Sequence, residues 1–313
     1  MLKIYRTQDK QLTRATDYGE GVWVCLTAPT QDEIQEVAGR LEMEPGDLMA
    51  AMDPEESARI TLEDGYTVIL VDIPVKVPGK AEGIYTTIPL GILLTQDLVV
   101  TVCSVETPVL GDFAACRVRG FSTRKKMRFV YQILYRAATI YQQELRLIDR
   151  RRSFIEKNLS GTLRDNDLME LHGLESTLVY FATSLRSNAT VLDRLTRYKR
   201  LDQYPDDREL LDDVIVEIRQ AIEMTGIYRD DIRGTRELFI SLLDNRLNNS
   251  MKYLTSITLI MAIPTVISGL YGMNVNLAGM PFATSVWGFG VVCGVILVIC
   301  VLAAWILHRM HML

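Results

Sequence analysis

The chain has 313 residues, 48% of them hydrophobic and 23% charged, with a formal net charge of −5. That acidic balance argues against nucleic acid as a partner. Five cysteines without a Cys-x-x-Cys pair exclude a disulfide framework or a zinc-ribbon site and read as thiols of a reducing compartment. No Gly-x-x-x-x-Gly-Lys-Ser/Thr loop, His-Glu-x-x-His motif or Gly-x-Ser-x-Gly elbow points to an ATPase or a hydrolase.

Residues 1–120 read as a cytoplasmic α/β domain. Val22 to Leu26, Tyr66 to Ile73, Ile84 to Leu94 and Leu98 to Cys103 are rich in Val, Ile and Tyr and bounded by turn residues, which predicts strands. Thr30 to Leu41 predicts a helix: Thr30 and Glu33 form a capping-box pair, and Ile34, Val37, Ala38 and Leu41 recur at helical spacing. A second short helix is predicted from about Pro45 to Met52. The first residues, Met1 to Tyr5, run into Arg6, Asp9 and Lys10 without a signal peptide, so this domain is expected to stay inside the cell.

Residues 121–204 read as an antiparallel pair of helical arms. Met127, Val130, Leu134, Ala137, Ile140 and Tyr141 keep one stripe, ended by Asn158-Leu159-Ser160-Gly161; Leu171, Leu174, Leu178, Phe181 and Leu185 keep the next. The basic clusters Arg124-Lys125-Lys126 and Arg150-Arg151-Arg152 admit two readings, an anion site or a solvated helix face.

Residues 205–274 read as a stalk helix that continues into a first membrane span, with Asp206 and Glu209 at capping-box spacing. A helix of roughly 60 residues is about 90 Å long. So long a rod cannot bury all its apolar positions alone, and an oligomeric bundle is expected. From Tyr253 to His308 there is no Asp, Glu, Lys or Arg. This tract predicts a membrane hairpin: a first span ending at about Tyr271, an outer loop at 275–285, a second span at 286–308 and a tail at 309–313. Arg246 and Lys252 before the first span and Arg309 after the second place both termini in the cytoplasm.

Three stretches together carry a family resemblance: Asn248-Asn249-Ser250-Met251-Lys252-Tyr253-Leu254-Thr255, Ile263-Pro264-Thr265 and Ser268-Gly269-Leu270-Tyr271-Gly272-Met273-Asn274. Their sequence, and the order of α/β domain, paired helices and stalk, resemble the CorA family of divalent-cation channels over essentially the whole chain. The resemblance implies an α+β membrane protein that assembles as a funnel-shaped homopentamer in the cell membrane. Its first span would line the pore and its second would face the lipid bilayer. The implied function is passive, potential-driven Mg²⁺ uptake, with Co²⁺ and Ni²⁺ as further cargo, gated by cytosolic divalent cations.

On that resemblance Gly272, Met273 and Asn274 form the selectivity filter. Five copies of Asn274 would grip the hydrated ion from outside, since Mg²⁺ gives up its water reluctantly. Asn248, Met251, Leu254, Thr258 and Thr265 fall roughly on one face of the helix as pore-lining positions. From residue type alone, Met251 and Leu254 are equally ordinary packing, and Thr258 and Thr265 can bond to their own helix. The resemblance places Asp213, beside Asp212, at a stalk position that supplies a regulatory carboxylate. The family's acidic partner in the α/β domain is replaced by Leu48-Met49-Ala50-Ala51-Met52, leaving Asp53, Glu55 and Glu56 as substitutes.

Two further departures are visible. The outer turn reads Met280-Pro281-Phe282-Ala283 and carries no carboxylate, so Asn274 and Asn276 are left to capture the cation; the tail has His308, Arg309 and His311 in place of a lysine cluster. The neutral, Gly-containing turn is similar to the ZntB zinc transporters, and His308 and His311 suit zinc better than Mg²⁺, so a ZntB-like zinc transporter stands as the alternative. A membrane-anchored ligand sensor without conduction is a second alternative. No organic cofactor and no catalytic residue is expected.

Overall fold

The structure is a computed structural model that describes residues 1–8, 11–158, 165–197, 205–273, 280–282 and 285–310. Asn274 and Asn276 in the outer turn, and His311 in the tail, lie outside the described residues. The chain divides into two compact units, Met1–Arg236 and Glu237–Leu313.

In the first unit the strands are β1 (Leu2–Gln8), β2 (Gln11–Arg14), β3 (Val22–Thr27), β4 (Arg59–Leu62), β5 (Tyr66–Lys76), β6 (Tyr85–Thr95) and β7 (Val99–Cys103). They form one sheet in the order β2-β1-β3-β7-β6-β5-β4. Of the paired strands, β3 and β7 run parallel and the others antiparallel. The helices are α1 (Gln31–Leu41), α2 (Pro45–Ala50), α3 (Pro108–Ala114), α4 (Lys126–Asn158), α5 (Asp165–Arg197) and α6 (Pro205–Tyr271), which runs on into the second unit.

The period-2 alternation of a strand sorts side chains to two faces. Val22, Val24, Leu26, Val68, Leu70, Val100 and Val102 cluster with Ile34, Val37 and Ala38 of α1 and Leu48 of α2. On the opposite face Trp23 is fully buried, stacks on Tyr5 and meets Phe129 of α4 edge-on at 5.1 Å. Its indole N–H donates to Thr101 Oγ1 at 2.8 Å, so this large side chain is buried with its polar atom satisfied. With both faces covered, the central strands read as continuous apolar runs.

The expected capping box is present. Thr30 is the N-cap of α1, its hydroxyl accepts from Glu33 N–H, and the Glu33 carboxylate accepts from Thr30 N–H. The same carboxylate accepts from Leu2 N–H at 3.0 Å, tying β1 to the helix. At the other end of the sheet, β4 stops pairing at Leu70, two residues short of Asp72. There the Asn188 side-chain amide of α5 takes over as a strand would: Asp72 N–H donates to Asn188 Oδ1 and Asn188 Nδ2 donates to Asp72 O, both at 2.8 Å. Tyr141 of α4 donates to the same carbonyl and packs edge-on against Phe181 of α5, so one site joins sheet and both arms.

The Arg150-Arg151-Arg152 cluster resolves toward packing. Arg151 pairs with Glu170 of α5, which holds its guanidinium protonated above the usual arginine range, and Arg152 reaches Asp149, Glu156 and Thr235. Arg151 and Arg152 thus tie helices together, while Arg150 is exposed. At α6 the expected capping box is displaced: Pro205 is already helical, so Asp206 lies within the first turn.

The second unit holds the C-terminal part of α6 and α7 (Gly288–Arg309). Both helices are long and apolar enough to cross a membrane, and only 6% of each span window is buried within the chain. Aromatic residues stand at comparable positions on each: Tyr253 and Tyr271 on α6, Trp287 at the N-cap of α7 and Trp305 in its last turns. Each pair is eighteen residues apart, or about 27 Å of helix, close to the thickness of a hydrocarbon core with interfacial aromatics at its borders. Arg309 sits over the Trp305 ring, a cation at the polar edge of that span.

Candidate cation pathway in the membrane hairpin

Pro264 lies inside α6, and the helix continues through it. Proline has no N–H to return to the carbonyl four residues earlier, which leaves Ile260 O without its helical donor. The Cys300 thiol of α7 donates to that oxygen at 3.8 Å. In hydrocarbon a freed carbonyl is costly, and a neighbouring helix is where such a donor is found. Near the outer end, Tyr271 OH donates to Pro281 O at 2.8 Å, a second tie across the hairpin.

These ties fix which side of α6 the second span covers. Ser256 is fully buried, and Lys252, Ile260, Ile263 and Ile267 are half-buried. At about 100° per residue these five residues fall within about 40° of the Ser256 direction. Thr265, Thr258, Leu254 and Met251 fall within about 60° of one another, on the opposite side of the helix. All four are exposed, Leu254 to 68%. Asn248 is also exposed but lies about 60° beyond Met251, at the margin of that stripe. Met251, Leu254, Thr258 and Thr265 thus lie away from α7, among other exposed positions of the span such as Tyr253, Leu259 and Val266.

The two threonines bond to their own helix. Thr258 donates to Leu254 O at 2.8 Å and Thr265 to Met261 O at 2.9 Å, while Ser268 donates to Thr265 O. Back-bonding commits each hydroxyl proton and leaves the oxygen lone pairs outward, where they can accept hydrogen bonds. Water around a divalent cation is a strong donor, so hydroxyl acceptors of this kind can bond the shell of a hydrated ion without stripping it.

At its C-terminal end α6 stops at Tyr271, and Gly272 N–H donates to Ser268 O at 2.9 Å as the chain begins to turn. A Cβ at Gly272 would stand 3.3 Å from that same oxygen, so the turn is tight against its own last carbonyls. Met273 N–H donates weakly to Leu270 O, and Asn274 follows outside the described residues.

The expected regulatory acids are not brought together within one chain. Asp212 and Asp213 are exposed on α6, and Asp53 is exposed after α2, where its carboxylate accepts from Glu55 N–H. Among the described residues no group of three or more His, Cys, Asp or Glu could hold a metal ion. Sequence reasoning missed Asp207, the buried acid of this helix, which faces Arg128 of α4 at 3.7 Å. Its burial had no local signal, because the arginine that pairs with it belongs to another helix.

Comparison with known proteins gives a consistent result. The family model "CorA-like Mg2+ transporter protein" matches residues 18–309. The chain is 30% identical over 299 residues to the cobalt/magnesium transport protein CorA of Methanocaldococcus jannaschii, covering 92% of this chain and 90% of the relative. It is 28% identical over 189 residues to the cobalt/magnesium transport protein CorA of Thermotoga maritima, covering 59% and 52%. Among solved structures, the complete CorA magnesium transporter of M. jannaschii superimposes with a TM-score of 0.84 at 24% identity, covering 99% of this chain and 98% of the other. The cytoplasmic domain of ZntB from Vibrio parahaemolyticus gives 0.62 at 10% identity, covering 78% and 98%. At those identities the structural matches establish the fold.

Proposed function

Because the chain belongs to the CorA family of Mg²⁺ transporter proteins, we propose that it conducts Mg²⁺, with Co²⁺ and Ni²⁺ as further cargo, through a homopentameric pore lined by α6. The observation that carries this reading is the exposed stripe of Met251, Leu254, Thr258 and Thr265 directly opposite the α7 contact. Five copies turned inward would cover that stripe and leave α7 to the lipid. Thr258 and Thr265 then offer acceptor rings to the ion's water shell, while Leu254 and Met251 narrow the path as an apolar constriction that gates by excluding water. Gly272, Met273 and Asn274 form the outer filter, with Asn274 contacting the hydrated ion and Asn248 serving at the cytoplasmic end.

Transport is passive and needs no catalytic residue. The membrane potential supplies about 2.3 kcal/mol per elementary charge per 100 mV, and a divalent ion gains twice that on entering a negative interior. Both termini are cytoplasmic, following the basic flanks Arg246, Lys252 and Arg309. The exposed carboxylates of Asp213, Asp212 and Asp53 close the gate by holding cytosolic cation against a neighbouring protomer, since one chain does not group them.

Zinc is not favoured as the main cargo. The curated relatives are cobalt/magnesium transport proteins, and the zinc branch matches at the level of fold. The deciding experiment reconstitutes the full chain in vesicles and offers Mg²⁺, Co²⁺, Ni²⁺ and Zn²⁺ separately, with and without a potential or a proton gradient. Mg²⁺ entry that follows the potential and is lost in Asn274→Ala is expected. Uptake restricted to Zn²⁺ and dependent on a proton gradient would overturn the proposal, and no flux of any cation would leave the ligand-sensor alternative standing.

A further inference from the structure

Between Asp112 and Glu144 the chain has no Asp or Glu and seven Lys or Arg, a strong local excess in a protein of net charge −5. Arg117 and Arg136 pair with Asp112, Arg128 faces Asp207, and Lys126 donates to the carbonyls of Thr95 and Gln96. Arg124 and Lys125 line a half-open cavity of about 670 Å³, with Gln8, Leu12, Phe121 and Ser122 among its walls. Among the described residues that line it there is no carboxylate.

The cavity is held in shape before any ligand arrives. Thr7 N–H donates to Thr123 Oγ1 at 3.0 Å and Thr123 N–H donates to Thr7 Oγ1 at 3.1 Å, a reciprocal pair that fixes the basic loop to β1. The buried Thr123 hydroxyl also donates to Gly21 O. Gly21 has φ +69°, and a Cβ there would meet Arg124 Cγ at 2.7 Å, so the arginine stem rests where only glycine leaves room. The first turn of α4 begins just after Lys125 and adds its partial positive charge to the same mouth. Phe121 belongs to an aromatic group with Phe113, Phe129 and Trp23, and gives one wall a firm apolar surface.

We propose that this cavity is a binding site for a polyphosphate anion, either the phosphate chain of a nucleotide or an inorganic one, held by Arg124 and Lys125. A single phosphate would meet the charge and leave most of the volume to water. A chain of phosphates carries several negative charges and reaches both cations and the helix end together. The nucleotide form would also lay its base against Phe121 and Leu12. The site lies wholly in the first unit and does not depend on what crosses the membrane.

The test uses the full-length protein in detergent micelles with Cys293→Ser and Cys300→Ser, so that exposed Cys116, which lines the cavity, reports occupancy through its rate of maleimide labelling. ATP, tripolyphosphate and inorganic phosphate are titrated without divalent cations, at two salt concentrations. Polyphosphate is expected to slow labelling of Cys116 and to bind less tightly as salt rises. Arg124→Gln with Lys125→Gln, which keeps both stems, is expected to weaken binding at least about tenfold, or ~1.4 kcal/mol. Arg146→Gln with Arg150→Gln, two exposed cations outside the cavity lining, is expected to leave binding unchanged. Tighter binding of ATP assigns the site to nucleotides, and equal binding of tripolyphosphate assigns it to inorganic chains. Absence of protection, equal loss in the Arg146/Arg150 variant, undiminished binding in the Arg124/Lys125 variant, or phosphate binding as tightly as the chains each overturn the proposal.

Discussion

The two units of this chain treat apolar surface in opposite ways. In Met1–Arg236 a core of large side chains is enclosed: Trp23, Tyr131, Tyr141, Phe113, Phe129 and Phe181 are all essentially inaccessible. In Glu237–Leu313 most large apolar side chains stand open, among them Leu254, Leu297, Val298 and Phe289, while a serine is buried. The first unit builds a core of its own, with Met169, Val216 and Ile227 left exposed on its helices. The second leaves most of its apolar surface uncovered within the chain. A water-soluble core takes its stability from burial, whereas the hairpin takes its shape from a few polar ties such as Cys300 to Ile260 and Tyr271 to Pro281.

The largest test of that contrast compares two truncations. Trp23→Ala removes a buried indole and strands the Thr101 hydroxyl, and is expected to cost about 3–5 kcal/mol. Leu297→Ala removes a side chain that is 64% exposed within the chain. In a bilayer its lipid contacts are replaced by other lipid contacts, so the expected change is within about 0.5 kcal/mol. Denaturation of the full chain in lipid discs, followed by circular dichroism, gives both values. Similar losses at the two sites would break the distinction.

A smaller effect separates the two faces of α6. Thr258→Val keeps the shape of the side chain and removes one acceptor from the proposed pore stripe. Mg²⁺ flux is expected to fall roughly tenfold, equivalent to ~1.4 kcal/mol, with little change in melting temperature. Ser256→Val alters the buried face toward α7 and is expected to lower the melting temperature while sparing flux per folded protein. Reversal of the two outcomes would place the pore on the other side of the helix.

Much of the fold was legible because its signals are local. The central strands announce themselves through continuous apolar runs, and the α1 cap through Thr30 and Glu33 alone. The strands β1, β2 and β4 were not predicted: Leu2–Gln8, Gln11–Arg14 and Arg59–Leu62 mix charged and polar residues with apolar ones, and β2 and β4 are the two edges of the sheet. Helix α3 (Pro108–Ala114) was not predicted. Within the hairpin, periodicity reveals a polar stripe but cannot tell Ser256 from Thr258. The covered face is decided by Cys300 and its neighbours on α7, some forty residues away. Asp207 and Arg151 were illegible for the same reason, each being paired across helices.

The smallest expected effect concerns pH, and it arises in the first unit. Burial at the junction of β5, α4 and α5 pushes the Asp72 carboxyl above the usual carboxylate range, against a smaller opposing pull from a hydrogen bond to Ser184. A raised acid binds its proton more readily in the folded than in the unfolded state. Stability from this group is therefore fully present below the ordinary carboxylate pKa of about 4 and is lost as pH rises through the raised value. At neutral pH the buried anion is a standing cost. Asp72→Asn keeps the size and a group able to bond Ser184 while removing the ionisation, and the backbone bonds of residue 72 to Asn188 and Tyr141 do not involve its side chain. The variant should melt higher than wild type at pH 7, and that advantage should shrink toward pH 4. A variant that is no more stable at neutral pH, or whose advantage grows on acidification, would mean that the folded protein solvates the Asp72 carboxylate as well as water does. The junction of sheet and arms would then be as open to water as the outer faces of the hairpin are to lipid.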